Sequence, residues 1–88
     1  MKVLLAALTI NAALAGAVFA AEKCDEPLSN WQPREALKSN LEKEGWKVRS
    51  IKSEDGCYEA YAINAKGEKV EAYFNPKSLD AVETKIED

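Results

Sequence analysis

Apolar residues follow three different rhythms along this chain, and each rhythm predicts a different structure. From Val3 to Ala21 they run almost without interruption and carry no charge. Between Pro33 and Gly45 the spacing is helical: Ala36, Leu37 and Leu41 form a narrow apolar stripe among Arg34, Lys38, Glu42 and Lys43. Pro33 suits the first helical turn, Glu35 and Lys43 suit the two ends of the helix dipole, and Gly45 ends the helix. If Gly45 takes the left-handed position after the helix, Trp46 packs back on Leu41 in a Schellman motif. Trp46 then clamps helix to sheet; a ligand-stacking role is the alternative.

Beyond Gly45 the apolar residues alternate. Strands are expected over 46–53, 57–64 and 68–75, with Asp55-Gly56 and Lys66-Gly67 as hairpin turns. Pairing the second and third about residues 65–67 sets Tyr58 opposite Phe74, Ala60 opposite Ala72 and Ala62 opposite Val70. These residues make one apolar face, and its alanines leave room for the helix. A tight Asp55-Gly56 turn brings Ile51 to that face but sends Val48 to the other, so a bulge near Arg49-Ser50 is expected. Pro76 ends the third strand. Residues 80–86 read as a short strand or extended edge segment, although Leu79, Val82 and Ile86 also fit a helix. The fold class is α+β: one helix packed on a three- to four-stranded antiparallel β-meander.

The opposite sheet face carries Glu59, Tyr61 and Ile63 beside Glu71, Tyr73 and Lys69. Half polar and half aromatic, it is the part of the chain best equipped to bind something. We take Glu59, Tyr61, Ile63, Glu71 and Tyr73 as the candidate binding face; the bland alternative is that the tyrosines merely cover a thin sheet.

The first segment reads as an address. Lys2 gives a positive start, and Val18-Phe19-Ala20 offers a cleavage site, so residues 1–20 are expected to be a secretory signal peptide. A retained anchor fits less well, because the run is rich in alanine and contains Asn11. Lipidation at Cys24 is rejected, since Ala21-Glu22-Lys23 precedes it. The mature product would be periplasmic or secreted and would not span a membrane. Residues 21–30, polar and turn-rich, are expected to form an extended N-terminal arm pinned at Cys24, and 31–88 the folded domain.

Export changes the meaning of the two cysteines. A domain this small is marginally stable unless stapled, and an oxidising compartment supplies the staple, Cys24 with Cys57. Closing that loop contributes roughly 3.5–4 kcal/mol in the chain-entropy model. Cys57 falls by parity on the outer face, so either the arm wraps a sheet edge to reach it or the register slips there.

Composition narrows the chemistry. With no His, the chain has no Ser-His-Asp or Cys-His arrangement and no imidazole metal ligand. A formal charge of −3 argues against nucleic acid, which requires a basic patch. At 47% hydrophobic the chain is too apolar to be disordered. Asp25, Glu26, Glu54 and Asp55 lack calcium-loop spacing, so no metal site and no cofactor are expected. Glu59 and Glu71 could support acid–base chemistry only in a cleft, which so small a sheet hardly provides, so no enzyme activity is expected.

The order of these elements resembles the PepSY domain, in particular small exported proteins with a single such domain. The resemblance rests on Cys24, on Trp31 before the helix and on Gly45-Trp46 at its end. It continues through Glu54-Asp55-Gly56-Cys57-Tyr58-Glu59-Ala60-Tyr61-Ala62 and Gly67-Glu68-Lys69-Val70-Glu71-Ala72-Tyr73-Phe74-Asn75-Pro76. It covers residues 24–82 and departs after Pro76, where the family places a Thr-Gly turn and this chain has Lys77-Ser78-Leu79. It implies a non-catalytic interaction domain that inhibits or modulates envelope peptidases. The other reading is an accessory binding module of an inner-membrane sensor or redox complex. Either way the expected partner is a protein.

Overall fold

Turn chemistry sets the sheet. Asp55 and Gly56 both take positive φ, 58° and 76°, the conformation a two-residue hairpin turn requires. They join β1 (Lys47–Glu54) to β2 (Cys57–Ile63). β3 (Lys69–Phe74) and β4 (Ala81–Ile86) follow, giving one antiparallel sheet in the order β1-β2-β3-β4. The computed structural model describes residues 23–87; the expected signal segment, 1–20, lies outside them, as do Ala21 and Glu22 of the arm.

The observed register between β2 and β3 pairs Tyr58 with Phe74, Ala60 with Ala72 and Ala62 with Val70, as the alternation requires. β1 shifts register between Val48 and Ser50, leaving Arg49 as the extra residue. Val48 and Ile51 therefore both pack against the core. The tail is a strand rather than a helix. β4 pairs with β3, with its own irregularity at Val82, between Ala81 opposite Phe74 and Glu83 opposite Tyr73.

The connection between β3 and β4 is held by side-chain caps. Asn75 Oδ1 accepts the N–H groups of Lys77 and Ser78 at 2.8 and 3.0 Å, and Ser78 Oγ accepts that of Asp80 at 3.1 Å. The turn places Leu79 at φ 65°, a left-handed conformation that costs a non-glycine residue about 1–2 kcal/mol. Leu79 packs against the core in return.

The one α-helix among the described residues, α1 (Arg34–Lys43), crosses the alanine-bearing face. Its Leu37 and Leu41 are buried against Tyr58, Ala60, Ala72 and Phe74, with Trp31, Trp46, Val48, Ile51 and Leu79 around them. Ala60 and Ala72, both at 0% exposure, let the helix approach this closely. One detail differs from expectation. Pro33 is the cap before the helix, with an extended ψ of 152°, and its carbonyl accepts the Ala36 N–H at 2.9 Å. At the other end Gly45 has φ 89°; Trp46 N–H reaches Leu41 O and Gly45 N–H reaches Glu42 O, both at 3.0 Å. These are the two bonds of the Schellman motif. Trp46 is half-buried and edge-on to Phe74, with ring centroids 6.3 Å apart, which is the clamp role.

The arm is not wholly extended, because a 3-10 turn, Leu28–Asn30, interrupts it. It begins on the outer face, where Cys24 is bonded to Cys57, and rounds the end of the sheet. On the helix side Trp31 lies edge-on to Tyr58, with centroids 5.1 Å apart. Gln32 N–H bonds Pro76 O at 2.9 Å, and its side chain bonds Lys77 O. The Tyr58 hydroxyl donates to Gln32 O, and the Trp31 indole donates to Glu26 O at 2.9 Å. The disulfide thus fixes an arm already stitched to the sheet by backbone and aromatic contacts.

Candidate functional site

Strand parity sends Cys57, Glu59, Tyr61 and Ile63 of β2 to the outer face, together with Lys69, Glu71 and Tyr73 of β3. All five candidate residues therefore share one surface, but the surface has two ends of different character.

At one end the arm closes it. Cys24, Cys57 and Tyr73 form a small buried cluster. Lys23 Nζ lies 5.0 Å from the centre of the Tyr73 ring and bridges to Glu83 at 3.0 Å. That contact with Glu83 holds the Lys23 ammonium above its ordinary pKa. Lys85 lies over the same ring at 5.9 Å. Tyr73 is consequently only 7% exposed. Local pattern does not mark Lys23; its position beside Cys24 is the signal, since the disulfide pins it to this face.

In the middle lies a carboxyl pair. Tyr61 stands opposite Glu71 and Glu59 opposite Tyr73, so the two glutamates are diagonal neighbours. Tyr61 and Tyr73 both donate their hydroxyls to one oxygen of Glu71, at 3.4 and 3.1 Å. Glu59 is 2% exposed. Burial and the adjacent Glu71 push its carboxyl above the usual range, while hydrogen bonds from Glu59 and the tyrosines, with Lys85 nearby, hold Glu71 below it. A protonated Glu59 donating to an ionised Glu71 satisfies both shifts. The Tyr61 phenol is pushed up to about 12, chiefly by its hydrogen bond to Glu59, and burial raises Tyr73 further. Lys52, cross-strand from Glu59, lies over the Tyr61 ring at 5.3 Å.

The far end is open. Tyr61, Ile63 and Glu71 are half-buried. A shallow hollow of about 200 Å³ there is lined by Arg49, Tyr61, Ile63, Lys69 and Glu87, among others, so β1, β2, β3 and the residue after β4 contribute to it.

Two carboxyls with opposed ionisation are a pattern that acid–base catalysts use. Here the acid is sealed beneath tyrosines and lysines, so a substrate has no direct access to it. Among the described residues, no three His, Cys, Asp or Glu side chains come together to hold a metal ion. No described helix is long and apolar enough to cross a membrane.

A disulfide-stapled four-stranded sheet with a helix across one face and a half-open aromatic end on the other defines a small α+β domain. Residues 4–85 match the family model PepSY_2, described as the peptidase propeptide and YPEB domain, and the chain belongs to that family. Such domains are generally regulatory or propeptide-like, often mediate interactions, and are typically extracellular or periplasmic. No curated protein and no solved structure gives a significant match.

Proposed function

We propose that this chain is an exported, non-catalytic PepSY-type module that inhibits or modulates peptidases of the cell envelope, and that it acts in the periplasm or outside the cell. Residues 1–20 are its cleaved signal peptide. The partner docks on the outer sheet face, at the end away from the disulfide. The supporting observation is the asymmetry of that face: Glu59 and Tyr73 are buried, whereas Tyr61 and Ile63 remain half-exposed beside the hollow.

Tyr61 is a good anchor for physical reasons. Its hydroxyl is tied to Glu71 and its ring is flanked by Lys52, so little rotamer freedom is lost when a partner covers it. Ile63 adds apolar area next to it. Glu59 and Glu71 then serve to position the ring rather than to transfer a proton.

The test uses the secreted, oxidised protein in inhibition assays against envelope peptidases, with the double variant Tyr61→Ala/Ile63→Ala beside it. Wild-type protein should slow at least one peptidase, and the variant should be at least about tenfold weaker, the loss expected from an interface anchor. If inhibition is equal in both, the docking face is wrong. If no peptidase responds and affinity capture returns a membrane sensor or redox complex, the peptidase reading itself fails.

A further inference from the structure

We propose that β4 is a self-pairing edge, through which two copies of this chain join their sheets into one antiparallel sheet about a two-fold axis at Thr84. This goes beyond the peptidase reading and uses a different surface.

The edge is available. β4 is the last strand of the sheet, and α1 lies nearest β1, leaving a groove of about 240 Å³ between the helix and β4. Val82 and Ile86 are 45% and 58% exposed. β1, the other edge, is carried under the helix and bears Lys47, Arg49 and Lys52 with a bulge, all of which discourage strand addition.

The backbone phase fixes which residues can pair. The Glu87 N–H bonds Lys69 O at 2.8 Å. By the alternation of an antiparallel ladder, Glu83, Lys85 and Glu87 direct their backbone groups at β3. Thr84 and Ile86 direct theirs outward. A second copy must therefore pair even-numbered residues with even-numbered ones.

Charge then selects one register among those allowed. Centring the pair on Thr84 sets Glu83 opposite Lys85 of the second copy, and Lys85 opposite its Glu83. It also brings Ile86 beside Val82 of the second copy. Slipping the register so that residue 83 meets itself faces Glu against Glu; slipping it the other way faces Lys against Lys and Glu83 against Glu87. Like charges directly opposite are unfavourable. Only the Thr84-centred pairing places opposite charges at both contacts while overlapping most of the strand. An interface of this kind is self-complementary, as a two-fold dimer requires.

The occupant is tested by sedimentation of the secreted, oxidised protein at increasing concentration. Wild type should pass from one to two copies per particle, with a dissociation constant on the order of 100 µM, as suits a small contact. Lys85→Glu and Glu83→Lys should each weaken association at least about tenfold, because each two-fold pair then carries two like-charge contacts. The combined Glu83→Lys/Lys85→Glu swap should restore it. Melting curves establish that each variant is folded. A wild type that stays single at millimolar concentration overturns the proposal. So does a single variant that associates as well as wild type, or a double swap that behaves like either single. Peptidase inhibition by a Thr84→Pro variant separates the two ideas: the N–H it removes faces away from β3 and Thr84 lies on the helix side of the sheet, so the variant should stay single yet inhibit as wild type does.

Discussion

Glu59 and Glu71 sit diagonally across β2 and β3, with their ionisation pushed in opposite directions, Glu59 upward and Glu71 downward. The pair makes stability depend on pH from both sides. As pH rises through the raised Glu59 value, the folded state must ionise a buried acid that the unfolded chain ionises without penalty, and stability is lost. As pH falls through the depressed Glu71 value, the stability conferred by its hydrogen bonds from Glu59 and the two tyrosines is lost instead. The maximum lies between the two. Glu59→Gln keeps a hydrogen-bond donor and cannot ionise, so the alkaline-side decline should disappear while the acid-side decline persists. Melting temperatures from about pH 3 to pH 9 check this, since a change of 1 kcal/mol moves a domain of this size by several degrees. An unchanged alkaline slope would show that the shared proton does not reside on Glu59.

Cys24 and Cys57 are 33 residues apart. Replacing both with Ser should lower stability by about 3–4 kcal/mol in the chain-entropy model. The loss should also release Lys23 from Tyr73. Urea unfolding of oxidised and variant protein measures the first effect. Hydrogen exchange at the N-terminal arm and β3 measures the second.

At Gly45 the cost of a side chain is conformational rather than steric. A Cβ there would lie 3.5 Å from the Ala65 Cβ, an ordinary contact, but φ is 89°. Gly45→Ala should therefore destabilise by about 1–2 kcal/mol, the left-handed penalty, with no loss of core packing. The near-ultraviolet signal of Trp46 should be retained while the midpoint of unfolding falls.

Leu79 carries the same penalty at φ 65° and offsets it by packing on the core. Leu79→Ala loses packing and keeps the penalty. Leu79→Gly loses the same packing and is relieved of it. The glycine variant should thus be the more stable of the two, by up to about 1 kcal/mol once its greater unfolded-state entropy is counted. Paired denaturation curves decide the order, and a less stable glycine variant would refute it.

Much of this was legible in the sequence because sheets have a strict period of two. The pairing of Tyr58 with Phe74 followed from parity once the turn was centred on residues 65–67, and the conflict between Val48 and Ile51 demanded the bulge found at Arg49. Gly45-Trp46 announced the helix end through a motif with fixed offsets. What parity could not show was how much covers a face. Glu59 and Tyr73 alternate like exposed residues, and their burial depends on Lys23, Lys52 and Lys85 arriving from the arm, β1 and β4. Those contacts are set by tertiary placement, not local pattern. The turn after Pro76 was obscured for a related reason: leucine at a left-handed position contradicts local preference, and only the core contact explains it.

The off-centre seat of α1 gives the molecule a thick margin and a thin one. β2 is flanked by strands on both sides and roofed by the helix, while β4 has a neighbour on one side only. Transient fraying should therefore begin at residues 81–86 and travel inward, with amide protons there exchanging long before those of β2. Any proteolytic erosion of the native protein would start along that weak seam, and whatever shields it would lengthen the lifetime of the whole.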